Sequence, residues 1–127
     1  MIYYNFMGIS EIDFDADSFA DIIAKDDRYN CRAYALLADV IRYLGEGGKH
    51  MTGGDILDEF RELVLDQYGP LSYSVLTEWG VRQCEDIGEM MLNLVDSGRV
   101  RKDEEDSIES FSGGYDFKET FLGPYET

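Results

Sequence analysis

Few side chains in this sequence are suited to catalysis. His50 is the only histidine, and its imidazole could act as a general base near neutral pH. It lies in the glycine-rich run 45–50, next to an expected helix start, where histidine more often anchors the backbone or a nearby carboxylate. Acid–base work would require Cys84, Glu85 or Asp86 to come within hydrogen-bond reach of His50. We therefore keep a small enzyme centred on His50 and these helix carboxylates as an alternative, and we name no catalytic residue.

We expect no metal site and no cofactor. Zinc usually takes about four Cys, His or carboxylate ligands, and the chain has two cysteines, one histidine and no CxxC or HxxxH pair. The run 13–17 imitates the first ligands of a calcium loop, but Ser18 and Ala24 replace its required Gly and Glu. The run 45–50 imitates a phosphate loop, but its first glycine is replaced by Tyr43.

The remaining candidates favour contact with a partner. Glu85 and Asp86 lie at a predicted helix start, where the helix dipole favours acids. Trp79 is either a core residue or a surface anchor. The only concentration of bases comprises Arg82, Arg99, Arg101 and Lys102. The candidate interaction residues are Trp79, His50, Glu85, Asp86, Arg99, Arg101 and Lys102.

These residues must be positioned mainly by helices. Apolar side chains recur three and four residues apart in four segments, which predicts four amphipathic helices. The predicted helices begin at Cys31, after Thr52, after Ser72, which is expected to cap the third helix, and just before Ile87. Glycines end them at Gly45, Gly69, Gly80 and Gly98. Thr52 and Asp55 form a capping box at the second start. A shorter helix containing Phe19 and Ile22 is expected to follow Asp17.

The pattern changes after Gly98. Val100, the acidic turn 103–106, Phe111 and the pair Tyr115 and Phe117 predict a short β-hairpin. Helices followed by such a hairpin are the coarse order of a winged helix. We predict an α+β, mainly helical fold: a compact helical domain with a small C-terminal β-hairpin, winged-helix-like. One domain covers residues 1–127, with its core at about 27–121 and an acidic segment at 1–26.

Several short motifs are also shared with a known family. They are Asp27-Arg28-Tyr29, Ala33-Tyr34, His50 with Thr52-Gly53, Asp55 and Leu57, Tyr68-Gly69-Pro70, Val75-Leu76, Glu78-Trp79-Gly80-Val81, Cys84 to Glu89, Asn93-Leu94-Val95, Lys102 to Asp106, Phe111 and Tyr115-Asp116-Phe117. On these residues the chain resembles an uncharacterised family of short bacterial proteins of planctomycete and verrucomicrobial type, named after a Methylacidiphilum locus. The resemblance implies kinship over most of the chain. It implies no mechanism and no site, because that family has no assigned function.

The charge distribution points to the class of partner. The net charge is −16; residues 1–29 carry seven acids and two bases, residues 103–127 carry eight and one, and residues 30–102 carry twelve and eight. Nucleic-acid binding depends on Lys and Arg displacing counterions, so this field disfavours direct contact with nucleic acid and favours a basic partner. A role of the charge in solubility alone stays open.

Our main hypothesis is a non-enzymatic acidic binding or regulatory module that recognises a basic protein surface. A second alternative is a nucleic-acid-associated, winged-helix-like protein whose wing carries the bases and whose acidic ends are autoinhibitory. The chain begins without a signal-peptide pattern and has no window of about 18 apolar residues. Its two cysteines are too few for a disulfide framework. We expect a cytoplasmic protein with reduced thiols and no membrane contact.

Overall fold

The computed structural model of the chain describes residues 4–6, 19–46, 52–102, 111 and 114–125. For residues 4–6, 101 and 102 the description covers the backbone. This part of the chain is mainly helical. The helices are α1 (Ala20–Lys25), α2 (Cys31–Gly45), α3 (Gly53–Tyr68), α4 (Ser72–Glu78), α5 (Cys84–Asp96) and α6 (Phe117–Phe121), with 3-10 turns at Gly69–Leu71 and Gly123–Tyr125.

The two longest helices begin where the sequence predicts. α2 starts at Cys31, and the side chain of Asn30 caps it by accepting a hydrogen bond from a backbone amide of the first turn. At the start of α3, the Thr52 hydroxyl accepts a hydrogen bond from the Asp55 amide, and the Asp55 carboxylate accepts one from the Thr52 amide. Both helices and the predicted capping box are confirmed.

The shorter helices agree with the sequence in position but not in every cap. Gly98 follows the end of α5 in the left-handed conformation, as predicted. The prediction that Ser72 caps α4 is wrong, because Ser72 is already the first helical residue. Its buried hydroxyl donates to the carbonyl oxygens of Val64 and Gly69, so it fastens the start of α4 to the C-terminal turn of α3.

In the described residues, the strand Val100–Lys102 is not paired as the predicted C-terminal hairpin requires. This strand, β2, pairs antiparallel with β1 (Tyr4–Phe6), with Tyr4 opposite Lys102 and Phe6 opposite Val100. Phe117, expected in the second hairpin strand, instead begins α6. The described residues therefore give no support to the C-terminal β-hairpin or the winged-helix-like architecture, and the predicted turn at 103–106 lies outside them.

Tyr115 gives the physical reason for this difference. Its ring packs against Phe117 and Phe121 at centroid distances of 5.7 and 5.8 Å. Its hydroxyl donates to the carbonyl oxygen of Leu57 in α3. The aromatic residues that suggested an alternating strand thus fasten the C-terminal segment onto the helices, where they bury more apolar surface than an isolated hairpin would.

One apolar core joins these elements. It includes Tyr34 of α2, Phe60 of α3 and Ile87 of α5, all fully buried. Phe19 and Ile22, from the acidic N-terminal segment, are buried in it as well, and Phe19 stacks on Tyr34. No helix within residues 19–46, 52–102 and 114–125 is both long and apolar enough to cross a membrane.

Candidate functional site

The outer faces of α2 and α3 border a cleft of about 550 Å³. Its lining is mostly acidic. The cleft, which we call the acidic groove, is lined by Asp39 and Tyr43 from α2 and by Glu59, Glu62, Leu63 and Asp66 from α3. Four of these six residues are carboxylates, and none is basic.

Helix periodicity places these side chains together. Asp39 and Tyr43 are four residues apart, and the α3 residues are spaced three, four and seven apart, so each set shares one helix face. The opposite faces carry the buried residues of the two helices. Tyr43 remains 61% exposed, which makes it the aromatic surface of the acidic groove.

Two arginines next to the acidic groove neutralise it in part. A guanidinium nitrogen of Arg42 lies 3.6 Å from a carboxylate oxygen of Asp39, and one of Arg61 lies 3.3 Å from a carboxylate oxygen of Glu62. Solvent-exposed ion pairs of this kind are weak. Arg61 also has a second contact, because its guanidinium lies over the ring of Tyr115 on the C-terminal segment. Among the described residues, Glu59 and Asp66 have no ion-pair partner. The acidic groove therefore keeps a net negative charge.

A second cleft, of about 360 Å³, borders the N-terminal end of α2. We call it the aromatic cup. Its lining includes Arg32, Tyr68, Leu71, Val75, Glu78 and Trp79. Tyr68 and Trp79 meet edge to face at 5.6 Å. Trp79 is only 7% exposed, whereas Leu71 is 63% exposed, so Trp79 is a core residue that forms one wall of the cup.

A polar cluster, absent from the sequence-based candidates, fastens the segment before α2 to α5. Arg28 donates to Asp26 through two nitrogens and to Glu89 of α5. Asn93 of α5 donates to Asp26 and to the hydroxyl of Tyr34. The hydrogen bonds from Arg28 hold the pKa of Asp26 well below its usual range. The only local signal was the Asp26–Arg28 spacing, since the α5 partners are more than sixty residues away.

Asp86, a candidate in the sequence, is occupied by structural contacts. Its carboxylate accepts hydrogen bonds from the amides of Arg82 and Gln83 and, at 2.7 Å, from the hydroxyl of Tyr29. It lies in the first turn of α5 and accepts the backbone amide of the N-cap residue, Gln83, as in a capping box. Burial, together with the bond to Asp86, raises the pKa of Tyr29. Its neighbour Glu85 is half-buried in the same first turn.

The candidate bases do not form one surface in the described residues. Arg82 precedes α5 and Arg99 follows it, so about 20 Å of helix separates them. Arg99 is bonded to Asp21 of α1 at 2.8 Å and covers the ring of Phe19, and these hydrogen bonds lower the pKa of Asp21. Arg101 and Lys102 belong to β2, and their side chains lie outside the description.

Of the groups named in the enzyme alternative, the structure describes Cys84, Glu85 and Asp86 but not His50. Cys84 is buried and its thiol faces the carbonyl oxygen of Tyr115, and burial raises the pKa of that thiol. Thiolate chemistry is disfavoured there, because the thiolate is the reactive form. His50 lies outside the described residues, so its proximity to Cys84, Glu85 or Asp86 stays a prediction. Within the described ranges, no group of three or more His, Cys, Asp or Glu side chains converges as a metal site requires.

Sequence reasoning missed the acidic groove, although each of its carboxylates was visible. The sequence signal is the three- and four-residue spacing of Glu59, Glu62 and Asp66, which predicts an acidic face on the second helix but not its position beside Asp39 of the first. Searches against protein-family models, curated proteins and solved structures find no match to this chain. The resemblance to the Methylacidiphilum-type family therefore stays a prediction.

Proposed function

We propose that this protein is a non-enzymatic binding module that holds a basic segment of a partner protein in the acidic groove. The observation that carries the proposal is the pairing of uncompensated carboxylates with an exposed aromatic ring. Glu59 and Asp66 supply the charge, and Tyr43 and Leu63 supply apolar surface within the same cleft.

This combination suits Lys and Arg side chains. Their aliphatic stems can lie on Tyr43 and Leu63 while their charged heads reach the carboxylates. An Arg or Lys placed over the face of Tyr43 would add a cation–π contact. The net charge of −16 supports the same partner, because it speeds the approach of a cationic segment and slows that of an anionic one.

The other conspicuous carboxylates support this choice by being occupied. Asp86 accepts a backbone amide at the start of α5, Asp26 is bonded to Arg28 and Asn93, and Asp21 is bonded to Arg99. A smaller cleft of about 250 Å³ near α1 is lined by acids but also by Lys25, and Arg99 neutralises one of those acids. It therefore offers less negative charge to a cation than the acidic groove does.

The proposal is tested with a defined probe. A fluorescent helical peptide of alanine and lysine is titrated with the full-length protein at low salt, and binding is read by anisotropy. The test variant is Glu59→Gln with Asp66→Asn. The matched control is Asp27→Asn with Glu119→Gln, which changes the net charge equally at exposed positions away from the acidic groove.

We expect the groove variant to bind about fivefold or more weakly than the control, because exposed charge pairs contribute up to about 1 kcal/mol each. An alanine–glutamate peptide should bind neither the groove variant nor the control variant. Equal weakening by both variants would mean that the attraction is a property of overall charge, and the acidic groove would have no special role. No binding of the lysine peptide to wild type would refute the proposal.

A further inference from the structure

The acidic groove and the aromatic cup follow one another along a single stripe of α2. Arg32 lines the cup, and Asp39 and Tyr43 line the groove. Asp39 and Tyr43 follow Arg32 by seven and eleven residues, so each lies within about 20° of Arg32 around the helix. At 1.5 Å per residue, Asp39 lies about 10 Å and Tyr43 about 16 Å from Arg32 along the axis. The two clefts thus lie on one track.

No long or charged side chain of α2 stands between the acidic groove and the aromatic cup. The residues of this stripe between Arg32 and Asp39 are Ala35, which is half-buried, and Leu36, which is buried. Neither side chain is charged or long, so a segment that contacts the groove can continue toward the cup without a bulky barrier on α2.

The chemistry of the cup differs from that of the groove. Its wall is the Tyr68–Trp79 pair, and Leu71 projects beside it with 63% of its surface exposed. Exposed apolar surface next to a rigid aromatic wall is typical of a pocket for an apolar anchor residue. The rim carries Arg32 and Glu78, whose charges balance, so the cup does not select a charged side chain.

We infer that the partner segment is an amphipathic helix that carries lysines or arginines over the acidic groove and one apolar anchor side chain in the aromatic cup. This inference rests on the proposed function. A helix places the anchor about seven residues from the bases, since seven residues rise about 10 Å, which matches the distance along α2. Charge complementarity places the basic part of the segment over the groove, and this holds for either direction of the segment along α2.

The inference is tested with three alanine–lysine helical peptides that share the same lysines. The first has alanine at every other position. The second and third carry one leucine, placed seven residues before or seven residues after the central lysines, so that both orientations on α2 are sampled. Each is titrated against wild type, Leu71→Ala and Ser74→Tyr; the first variant removes the exposed side of the cup, and the second fills it from an exposed position.

One of the leucine peptides should bind wild type about tenfold more tightly than the all-alanine peptide, because a leucine leaves water. Leu71→Ala and Ser74→Tyr should remove this gain and leave the all-alanine peptide unchanged. Equal binding of all three peptides, still weakened by Glu59→Gln with Asp66→Asn, would overturn the inference and keep the proposed function. A leucine gain that persists in both cup variants would also overturn it. No binding of any peptide would refute both.

Discussion

Replacing Gly80 by alanine directs a methyl group at the backbone of the segment that precedes α2. Gly80 follows Trp79, the wall of the aromatic cup, and has a φ of +88°. A Cβ built there lies 2.2 Å from the carbonyl oxygen of Arg28. Such a contact cannot be kept, so the backbone of Arg28 must move away from the turn between α4 and α5.

The magnitude follows from comparison with Gly98, which has a similar φ of +82° but no atom within 4 Å of a built Cβ. Gly98→Ala therefore meets only the left-handed conformation, at about 1–2 kcal/mol. Gly80→Ala meets the same term and also strains the adjacent hydrogen bond from the Asn30 amide to the carbonyl oxygen of Trp79. Unpairing these groups costs about 1–3 kcal/mol. We expect a total of about 2–5 kcal/mol.

The assay is urea unfolding of wild type, Gly80→Ala and Gly98→Ala, followed by far-UV circular dichroism and by the fluorescence of Trp79, the only tryptophan. The free energy of unfolding should depend on urea concentration with the same slope in both variants as in wild type. The urea midpoint should be lower in Gly98→Ala than in wild type, and lower still in Gly80→Ala. If both lose the same free energy of unfolding, the close approach of Gly80 to Arg28 contributes nothing, and the packing argument for this turn is refuted.

Two further substitutions test the local contacts. Thr52→Ala removes one half of the capping box with Asp55 and should lower the free energy of unfolding by about 1 kcal/mol in the same urea assay; Thr52→Ser should retain most of it, and an unchanged Thr52→Ala would contradict the capping role. Asp26→Asn should destabilise the protein at neutral pH, because it replaces the carboxylate bonded to Arg28. The pKa of Asp26 is lower in the folded than in the unfolded state, so the carboxylate stabilises the fold above about pH 4 and loses this effect as the pH falls further. The difference between wild type and Asp26→Asn should therefore shrink on acidification, and a constant difference would exclude the ionic contribution.

The helices could be predicted because their signals are local. The start of α3 depends on Thr52 and Asp55, three residues apart, and the end of α5 depends on Gly98 directly after it. The C-terminal segment could not be predicted in this way. Its conformation depends on a hydrogen bond from Tyr115 to Leu57, 58 residues earlier, and no local pattern distinguishes an aromatic residue in a strand from one that fastens a short helix.

The acidic groove could not be predicted for a related reason. Its carboxylates belong to two helices, and the sequence gives the face of each helix but not the rotation of one helix against the other. The charge distribution also indicated the two ends of the chain rather than α2 and α3, since residues 1–29 and 103–127 together hold most of the net −16. The partner class predicted from charge is the one we propose, whereas the surface that would bind it comes only from the packing of α2 on α3.

The acids discussed above fall into two groups, according to whether they form stabilising contacts within the fold. Asp26 and Asp86 each accept several hydrogen bonds within the structure. The acids of α3 in the groove are different: Glu59, Glu62 and Asp66 stand three and four residues apart on one helix face, a spacing at which like charges destabilise a helix by a few tenths of a kcal/mol per pair. Only Glu62 has a cation close by among the described residues. Sites that break a local rule without benefit to the fold are where function is expected, and a cationic partner is what would remove this repulsion.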